Sequence, residues 1–408
     1  MSARSLNRVR YQRISARGQI MRVVVAGGGL VGLTAAAALG RLGHEVTVVE
    51  QASEIRAAGA GIGLWENALR EFDRIGIGAA VRSVGHEIDA WFFDAAGRAV
   101  RAAGYGDYEH RFLLVPRPEL NVLLADAIGR QRILLGDRVT GFTDTGEGVR
   151  VLLESGRSMA ADLLVGADGV HSKVRAALVP DSAARPHPGH YAWRAVVPAG
   201  HERPEGTVLT VGRDRTRGGY SRLLGDRTMW MVNQFEVGEL HGTPRERALA
   251  RAHNLAEDGW HDELLRMIEA TPEEAILENP ILLVPELSHW TAAHVVLIGD
   301  AAHGLSPHIS AGGTLGVEDV GVLCACLSAD GDLASALSEY EHRRSERFAQ
   351  VRAFSTEVEF AADAGEFAQR YAAFSHWMLT TAPGRENPDR TVRPVAAEFP
   401  TGASGSRK

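Results

Sequence analysis

Residues Met21–Gln51 read MRVVVAGGGLVGLTAAAALGRLGHEVTVVEQ. Arg22–Ala26 is a short apolar-biased run with the character of a buried parallel strand. Gly27-Gly28-Gly29-Leu30-Val31-Gly32 follows and satisfies G-x-G-x-x-G. Leu33–Leu42 reads as a helix with small residues on one side, and Glu45–Val49 as a second strand ending in Glu50. The spacing has a physical purpose. Gly27 lets the chain turn sharply, Gly29 lets the backbone approach a pyrophosphate, and Gly32 lets the helix pack on the strand. The helix N-terminus offers unpaired N–H groups and about half a positive charge to the phosphates. Glu50 lies roughly 20 residues on, where an acid accepts a hydrogen bond from an adenosine ribose 2′-OH and disfavours a 2′-phosphate. The unit therefore expects FAD or NAD rather than NADP. Its contacts are assigned to Gly27, Gly29, Leu30, Val31, Gly32, Glu50 and Gln51.

Working outward, the 408 residues suffice for about two to three domain-sized units with a sizeable core. The net charge is −7, and five arginines without an acid in Met1–Ile20 leave −12 on the rest. That balance argues against a nucleic-acid surface on the body. Met1–Ile20 lacks the apolar core of roughly 7–15 residues that a secretory signal requires, so a disordered extension before Met21 is expected. The apolar run Val23–Leu39 is interrupted by glycines and needs no membrane to account for it. Cys324 and Cys326 stand two apart on an expected helix, pointing to different faces, which suits buried thiols in a reducing, cytoplasmic setting. No metal site is expected.

The first domain is expected over 21–180 and again over 286–330. Residues 181–285 alternate as YAWRAVV, TVLTVG, YSRLLG and TMWMVNQF, followed by two helical stretches. This reads as an inserted antiparallel sheet. Residues 331–382 are expected to be mostly helical, and 383–408 to form a loose tail rich in Pro, Gly, Ser and charge. Three separated segments share one form, a strand running into a Gly/Asp loop. They are the opening fingerprint, Gly166-Ala167-Asp168-Gly169, and Gly299-Asp300-Ala301-Ala302-His303. In a doubly wound sheet such strand ends converge on the ligand crevice. Asp300 then suits a polyol, Asp168 organises the loop beside the pyrophosphate, and Gly312-Gly313 open a helix whose N-terminus stabilises negative charge.

With these segments assembled, the chain resembles the p-hydroxybenzoate hydroxylase-like group A flavoprotein monooxygenases. The resemblance rests on GGGLVGLTAAAALGRLGHEVTVVEQ, GAGIGLWENAL, PRPELNVLLADA, ADLLVGADGVHSKVR and VVLIGDAAHGLSPHISAGGTLGVEDV, over residues 21 to about 330. It implies a Rossmann-like FAD-binding domain of that type, an inserted antiparallel sheet for substrate, and a helical C-terminal region. It implies that NADH or NADPH reduces FAD without a nucleotide-binding domain of its own, in keeping with the lack of a second G-x-G-x-x-G. Oxygen then adds at flavin C4a, and the resulting hydroperoxide hydroxylates an electron-rich aromatic or heteroaromatic ring. By resemblance, Glu50 binds the adenosine ribose, Arg117 the flavin nucleotide, and Val139 the adenine region. Asp168 and Gly169 form the family's DG pair, and Asp300 holds the ribityl chain. Gly312, Gly313 and Thr314 direct N–H groups to the flavin N1/O2 edge, where reduced flavin is negative. Arg56 and Gly63 join the FAD side.

Two departures stand out. The family's Gly-Gln-Gly is Ser310-Ala311-Gly312 here, which loses the Gln contact. Gly63 stands where some pyridine-hydroxylating relatives carry His. On the substrate side, a phenol or enol needs a base, and His308 after Pro307 is the candidate. Arg194, Tyr220, Arg222, Trp230 and Asn233 lie on strands expected to roof the flavin, with Arg194 or Arg222 suited to a carboxylate. Tyr220 and Arg222 share a face, which of the two faces is inward being open. His303 is assigned to packing or a loop hydrogen bond. The expected partners are a small aromatic substrate and O2, with no nucleic acid and no membrane, and a homodimer is allowed. The rival activities on this scaffold are an epoxidase, a Baeyer–Villiger oxygenase or an oxidase. The W-x-W-x-I-P halogenase signature is absent. A FAD-carrying protein without turnover is the rival from another class.

Overall fold

The computed structural model describes residues 20–55, 61–89, 91–100, 111–200 and 207–384. Arg56, most of the N-terminal extension and most of the tail lie outside the described residues.

A six-stranded sheet carries the first unit. Its spatial order is Thr291–Ala292, Val295–Leu297, Leu163–Gly166, Arg22–Ala26, Glu45–Glu50 and Ile133–Leu135. All neighbours pair in parallel except the edge hairpin of Thr291–Ala292 with Val295–Leu297. The three Gly/Asp loops leave adjacent strands of this sheet, so they share one edge. Strands buried on both faces need apolar residues throughout, which Val23–Ala26, Leu163–Gly166 and Val295–Leu297 supply. Helix Leu30–Arg41 covers one side. Helix Gly312–Ser328, the one expected to face the flavin, packs against both it and the long helix Leu333–Glu359.

The second layer is a seven-stranded sheet ordered Leu277–Leu283, Arg185–Pro198, Arg227–Gln234, Thr216–Leu223, Thr207–Val211, Trp91–Asp94 and Ala99–Val100. Five of these strands come from the alternating segment 185–283. The last two are added from the first unit, Trp91–Asp94 pairing in parallel with Thr207–Val211. His86–Asp89, just before Trp91–Asp94 in the chain, joins a separate small sheet with Gly61–Leu64 and Arg111–Pro116. The C-terminal region folds as two helices, Leu333–Glu359 and Ala364–Thr380, with Asp363 capping the second through its bond from the Glu366 N–H at 2.9 Å.

Candidate active site

The fingerprint glycines have three different surroundings. Gly27 has φ +100°, and a Cβ there would lie 2.4 Å from the Ala167 carbonyl oxygen. A Cβ on Gly32 would lie 2.0 Å from the Gly27 carbonyl oxygen. A Cβ on Gly29 meets nothing within 4 Å, and this residue is exposed. Two glycines are thus demanded by the protein's own packing. The third borders open space at the N-terminus of helix Leu30–Arg41, which is the space a pyrophosphate needs. Leu30 is buried under this turn, and Val31 packs toward Gly299 and Gly316. Glu50 ends the second strand, its carboxylate accepting from the Gly28 N–H at 2.6 Å and the Ala52 N–H at 2.8 Å. Gln51 beside it is exposed, and Val139 is buried at the start of its strand.

The second loop is tied to the third by an arginine. Asp168 caps helix Lys173–Leu178, accepting from the Ser172 hydroxyl at 2.5 Å and the Lys173 N–H at 2.7 Å. Gly169 follows at φ +78°. Buried Arg175 donates to the carbonyls of Val170 at 2.6 Å and Ala301 at 3.0 Å, locking the two loops together. Gly299 turns at φ +59°, and the exposed Asp300 follows it, Oδ1 lying 3.9 Å from where a Gly312 Cβ would be. The flavin-facing helix begins there. Its first ladder bond runs from the Leu315 N–H to the Ala311 carbonyl at 2.9 Å, leaving the N–H groups of Gly312, Gly313 and Thr314 at the open end. The Thr314 hydroxyl accepts from the Trp65 N–H at 3.1 Å, tying the helix start to the strand that ends at Leu64. Gly313 sits under Ile62, and Gly63 is flanked by the Phe112 ring. Arg117 begins helix Arg117–Ile128, half-buried. These groups fit FAD: an open phosphate cradle, an acid for the ribose, an acid for the ribityl chain, and a helix N-terminus for the anionic ring edge.

The seven-stranded sheet has an outer and an inner face. On the outer face, Phe93, Trp193, Tyr220, Trp230 and Val232 form a closed core with Ala248, Leu264, Met267 and Ile268 of two covering helices. The Trp230 indole donates to Thr271 at 3.0 Å, and Tyr220 lies edge-on to His261. Tyr220 and Trp230 are therefore corrected from substrate residues to outer-core residues. Arg222 shares their parity, opposes Thr228 and pairs with Asp226 at 3.3 Å near the hairpin end, so it too leaves the cleft.

The opposite parity faces inward. Leu223, Met229, Met231 and Val196 close one end against Ile88 and Leu114. Arg194 opposes Met231 on this face and donates to Asn279 at 3.1 Å. Burial first, and then the nearby positive charge of Arg117, hold its guanidinium below the usual arginine range. Arg217 and Asn233 oppose each other at the other end. Arg217 is 2% exposed. Its Nη2 donates to the carbonyls of Val358 and Glu359, both at 2.8 Å. Its Nε and Nη1 have no hydrogen-bond partner among the described residues. The guanidinium lies over the Phe235 and Phe367 rings at 5.1 and 4.6 Å. Burial, and then Arg215, push it down to about 9. Phe92 meets Phe367 and Tyr371 edge-on at 5.1 and 5.2 Å, closing that side with the last helix.

His308 also differs from expectation. It is buried, Nδ1 lying 2.6 Å from the Ser306 hydroxyl and Nε2 2.9 Å from the Ser355 carbonyl. A carbonyl accepts only, so Nε2 carries the proton and Nδ1 accepts from Ser306. Burial, then Arg217, hold the ring well below its ordinary value and therefore neutral. Both nitrogens being engaged, His308 does not serve as the substrate base. Pro307 beside it is exposed. His303 is paired with Asp319 at 2.7 Å, in agreement with a packing role.

The profile of the family described as FAD binding domain matches residues 21–355. The aurachin C monooxygenase/isomerase of Stigmatella aurantiaca is 32% identical over 88% of this chain and 92% of that protein. The 6-hydroxynicotinate 3-monooxygenase of Bordetella bronchiseptica is 31% identical over 82% of this chain and 90% of its own length. Among solved structures, Klebsiella pneumoniae HpxO complexed with FAD and uric acid matches with TM-score 0.75 at 25% identity, covering 87% of this chain and 92% of that one. The chain belongs to the p-hydroxybenzoate hydroxylase-like FAD-dependent aromatic monooxygenases. FAD is its cofactor and a reduced nicotinamide its reductant. No helix among the described residues is long and apolar enough to cross a membrane.

In this monooxygenase Arg217, buried and with two nitrogens unpartnered among the described residues, was not among the residues singled out from the sequence. Its signal was present, since period-2 alternation sets it opposite in face to Tyr220. Nothing in the strand itself said which face the helices Pro244–Ala252 and Asp262–Ala270 would cover. A groove of about 390 Å³ between Thr291–Ala293 and Ala334–Ser345 touches none of the residues assigned to the site.

Proposed function

We propose that this monooxygenase hydroxylates an anionic aromatic or heteroaromatic compound, held by its negative edge against Arg217. One observation carries the reading: a buried arginine on the inner sheet face with two guanidinium nitrogens, Nε and Nη1, left without partners among the described residues. An unpaired buried donor on a cation is unfavourable, and a carboxylate or enolate oxygen relieves it by accepting a charge-assisted hydrogen bond from Nε or Nη1. Two similar proteins point the same way. One is named for 6-hydroxynicotinate and the other is complexed with uric acid, both acids.

When bound, FAD supplies the chemistry that takes electrons from NAD(P)H and activates O2. The chain does the rest. The Phe235 and Phe367 rings flank the guanidinium. Asn233 stands opposite it on the neighbouring strand. Phe92, Phe367 and Tyr371 exclude water from the same end. A neighbouring cation favours the ionised form of a phenol or enol. Arg217 thereby keeps the ring electron-rich without a separate base, which accords with a neutral, engaged His308. Glu50, Asp300, Arg117 and the amides of Gly312–Thr314 would hold FAD in this scheme, with Arg194 close enough to Arg117 to feel its charge. The proposal places the enzyme in the cytoplasm, on its two buried free thiols, and keeps a homodimer, which light scattering tests.

The test is NADH and NADPH oxidation by the FAD-loaded enzyme with paired compounds, each acid beside its amide or ester. Stimulation by the acids alone, with a product heavier by one oxygen, supports the reading. Equal stimulation by the neutral partners removes Arg217 from its role. An unoxygenated product transfers the assignment to an oxidase on the same scaffold.

A further inference from the structure

Helix Leu333–Glu359 stands behind the flavin-facing helix, yet it sends two arginines into the interior. Arg344, 1% exposed, donates from Nε to Asp319 Oδ1 at 2.6 Å and from Nη1 to Glu318 Oε2 at 2.9 Å. Arg347 grips both oxygens of Glu318, at 2.6 and 2.8 Å, and Asn67 donates to it as well. Glu318 and Asp319 are adjacent and both fully buried, but they hold different things. Glu318 ties helix to helix. Asp319 Oδ2 accepts from the Gly299 N–H at 2.7 Å and pairs with His303 Nε2 at 2.7 Å. Gly299 is the left-handed turn before Asp300, and His303 closes the same short helix. The His303 ring is stacked on Phe348 at 4.7 Å and lies against Trp290 at 5.2 Å, so it cannot swing away.

A buried ionic cluster is a poor source of stability, because apolar replacements often serve as well. Its persistence needs another reason, and the asymmetry between the two carboxylates supplies one. We propose that Asp319 is a positioning residue of the FAD site: it fixes the Gly299–His303 turn that presents Asp300, and through Arg344 it couples that turn to helix Leu333–Glu359. Glu318 has no such part. The proposal rests on the FAD site and not on the choice of substrate. By linkage, FAD and the docking of that helix then favour each other.

The test compares Asp319→Asn with Glu318→Gln in protein stripped of FAD and titrated with it, following flavin fluorescence, alongside the melting temperature of each apoprotein. Asp319→Asn is expected to weaken FAD binding by about tenfold or more. Glu318→Gln is expected to lower the apoprotein's melting temperature comparably while changing FAD affinity less than about threefold. Equal losses of affinity in the two variants, or an unchanged affinity in Asp319→Asn, overturn the proposal. Hydrogen exchange on the wild-type chain needs no variant. FAD should slow exchange at Gly299–His303 and around Tyr340–Phe348 together. Protection of the turn with no change in the helix contradicts the coupling.

Discussion

The FAD cradle and the substrate sheet are built from different materials. The cradle is backbone: a glycine turn, two helix N-termini, and strand ends that meet because the sheet is parallel. The substrate sheet is side chain, and half of its residues face a second core instead of the ligand. A backbone site constrains the sequence at fixed spacing, because only glycine tolerates a carbonyl at 2.0 or 2.4 Å from its Cβ position, as at Gly32 and Gly27. A side-chain site leaves no such mark.

The sharpest way to break that contrast is at Gly29 and Gly32. Gly29→Val has room in the protein itself and should fold, yet lose FAD by more than about 100-fold because the Cβ occupies the phosphate's space. Gly32→Val should instead fail to fold, its side chain meeting the Gly27 carbonyl. Circular dichroism and FAD titration separate the two. Retention of stoichiometric FAD by Gly29→Val would refute the cradle.

Next in size is Arg217→Met. Removing one partner of a buried charge pair costs about 2–5 kcal/mol, so kcat/KM for an anionic substrate should fall roughly 30- to 4000-fold with FAD affinity unchanged. The same residue gives a pH signature. Its guanidinium, pushed down to about 9, is charged below that pH and neutral above it. The substrate's KM should therefore rise as pH passes through about 9. Losing a buried charge relieves a cost, so this titration by itself makes the fold more stable across the window from about 9 up to the ordinary arginine range. A KM independent of pH there would place the anion elsewhere.

The smallest effects belong to the residues that left the cleft. Tyr220→Phe and Arg222→Ala should leave kcat/KM within about twofold. His308→Asn should lower stability without moving the acid limb of the rate profile, since the ring is neutral and engaged. A shift of that limb would restore His308 as a base.

These expectations also mark what was legible in the chain. The strand-turn-helix units around Gly27, Gly166 and Gly299 could be read because backbone sterics and apolar runs write themselves locally. The alternation in Thr216–Leu223 could be read as well, with Tyr220 and Arg222 on one face. Which face is inward depends on helices Pro244–Ala252 and Asp262–Ala270 covering the other side, and that is settled only by tertiary packing. His308 was misjudged for the same reason. Its partners, Ser306 and the Ser355 carbonyl, include one 47 residues away.

The most direct measurement is substrate-dependent turnover by the FAD-loaded enzyme, wild type beside Arg217→Met, with an acid and its amide. The account predicts NAD(P)H consumption and an oxygenated product from the acid with wild type, and loss of both in the variant at full flavin occupancy. Undiminished turnover of the acid by flavin-loaded Arg217→Met would contradict it.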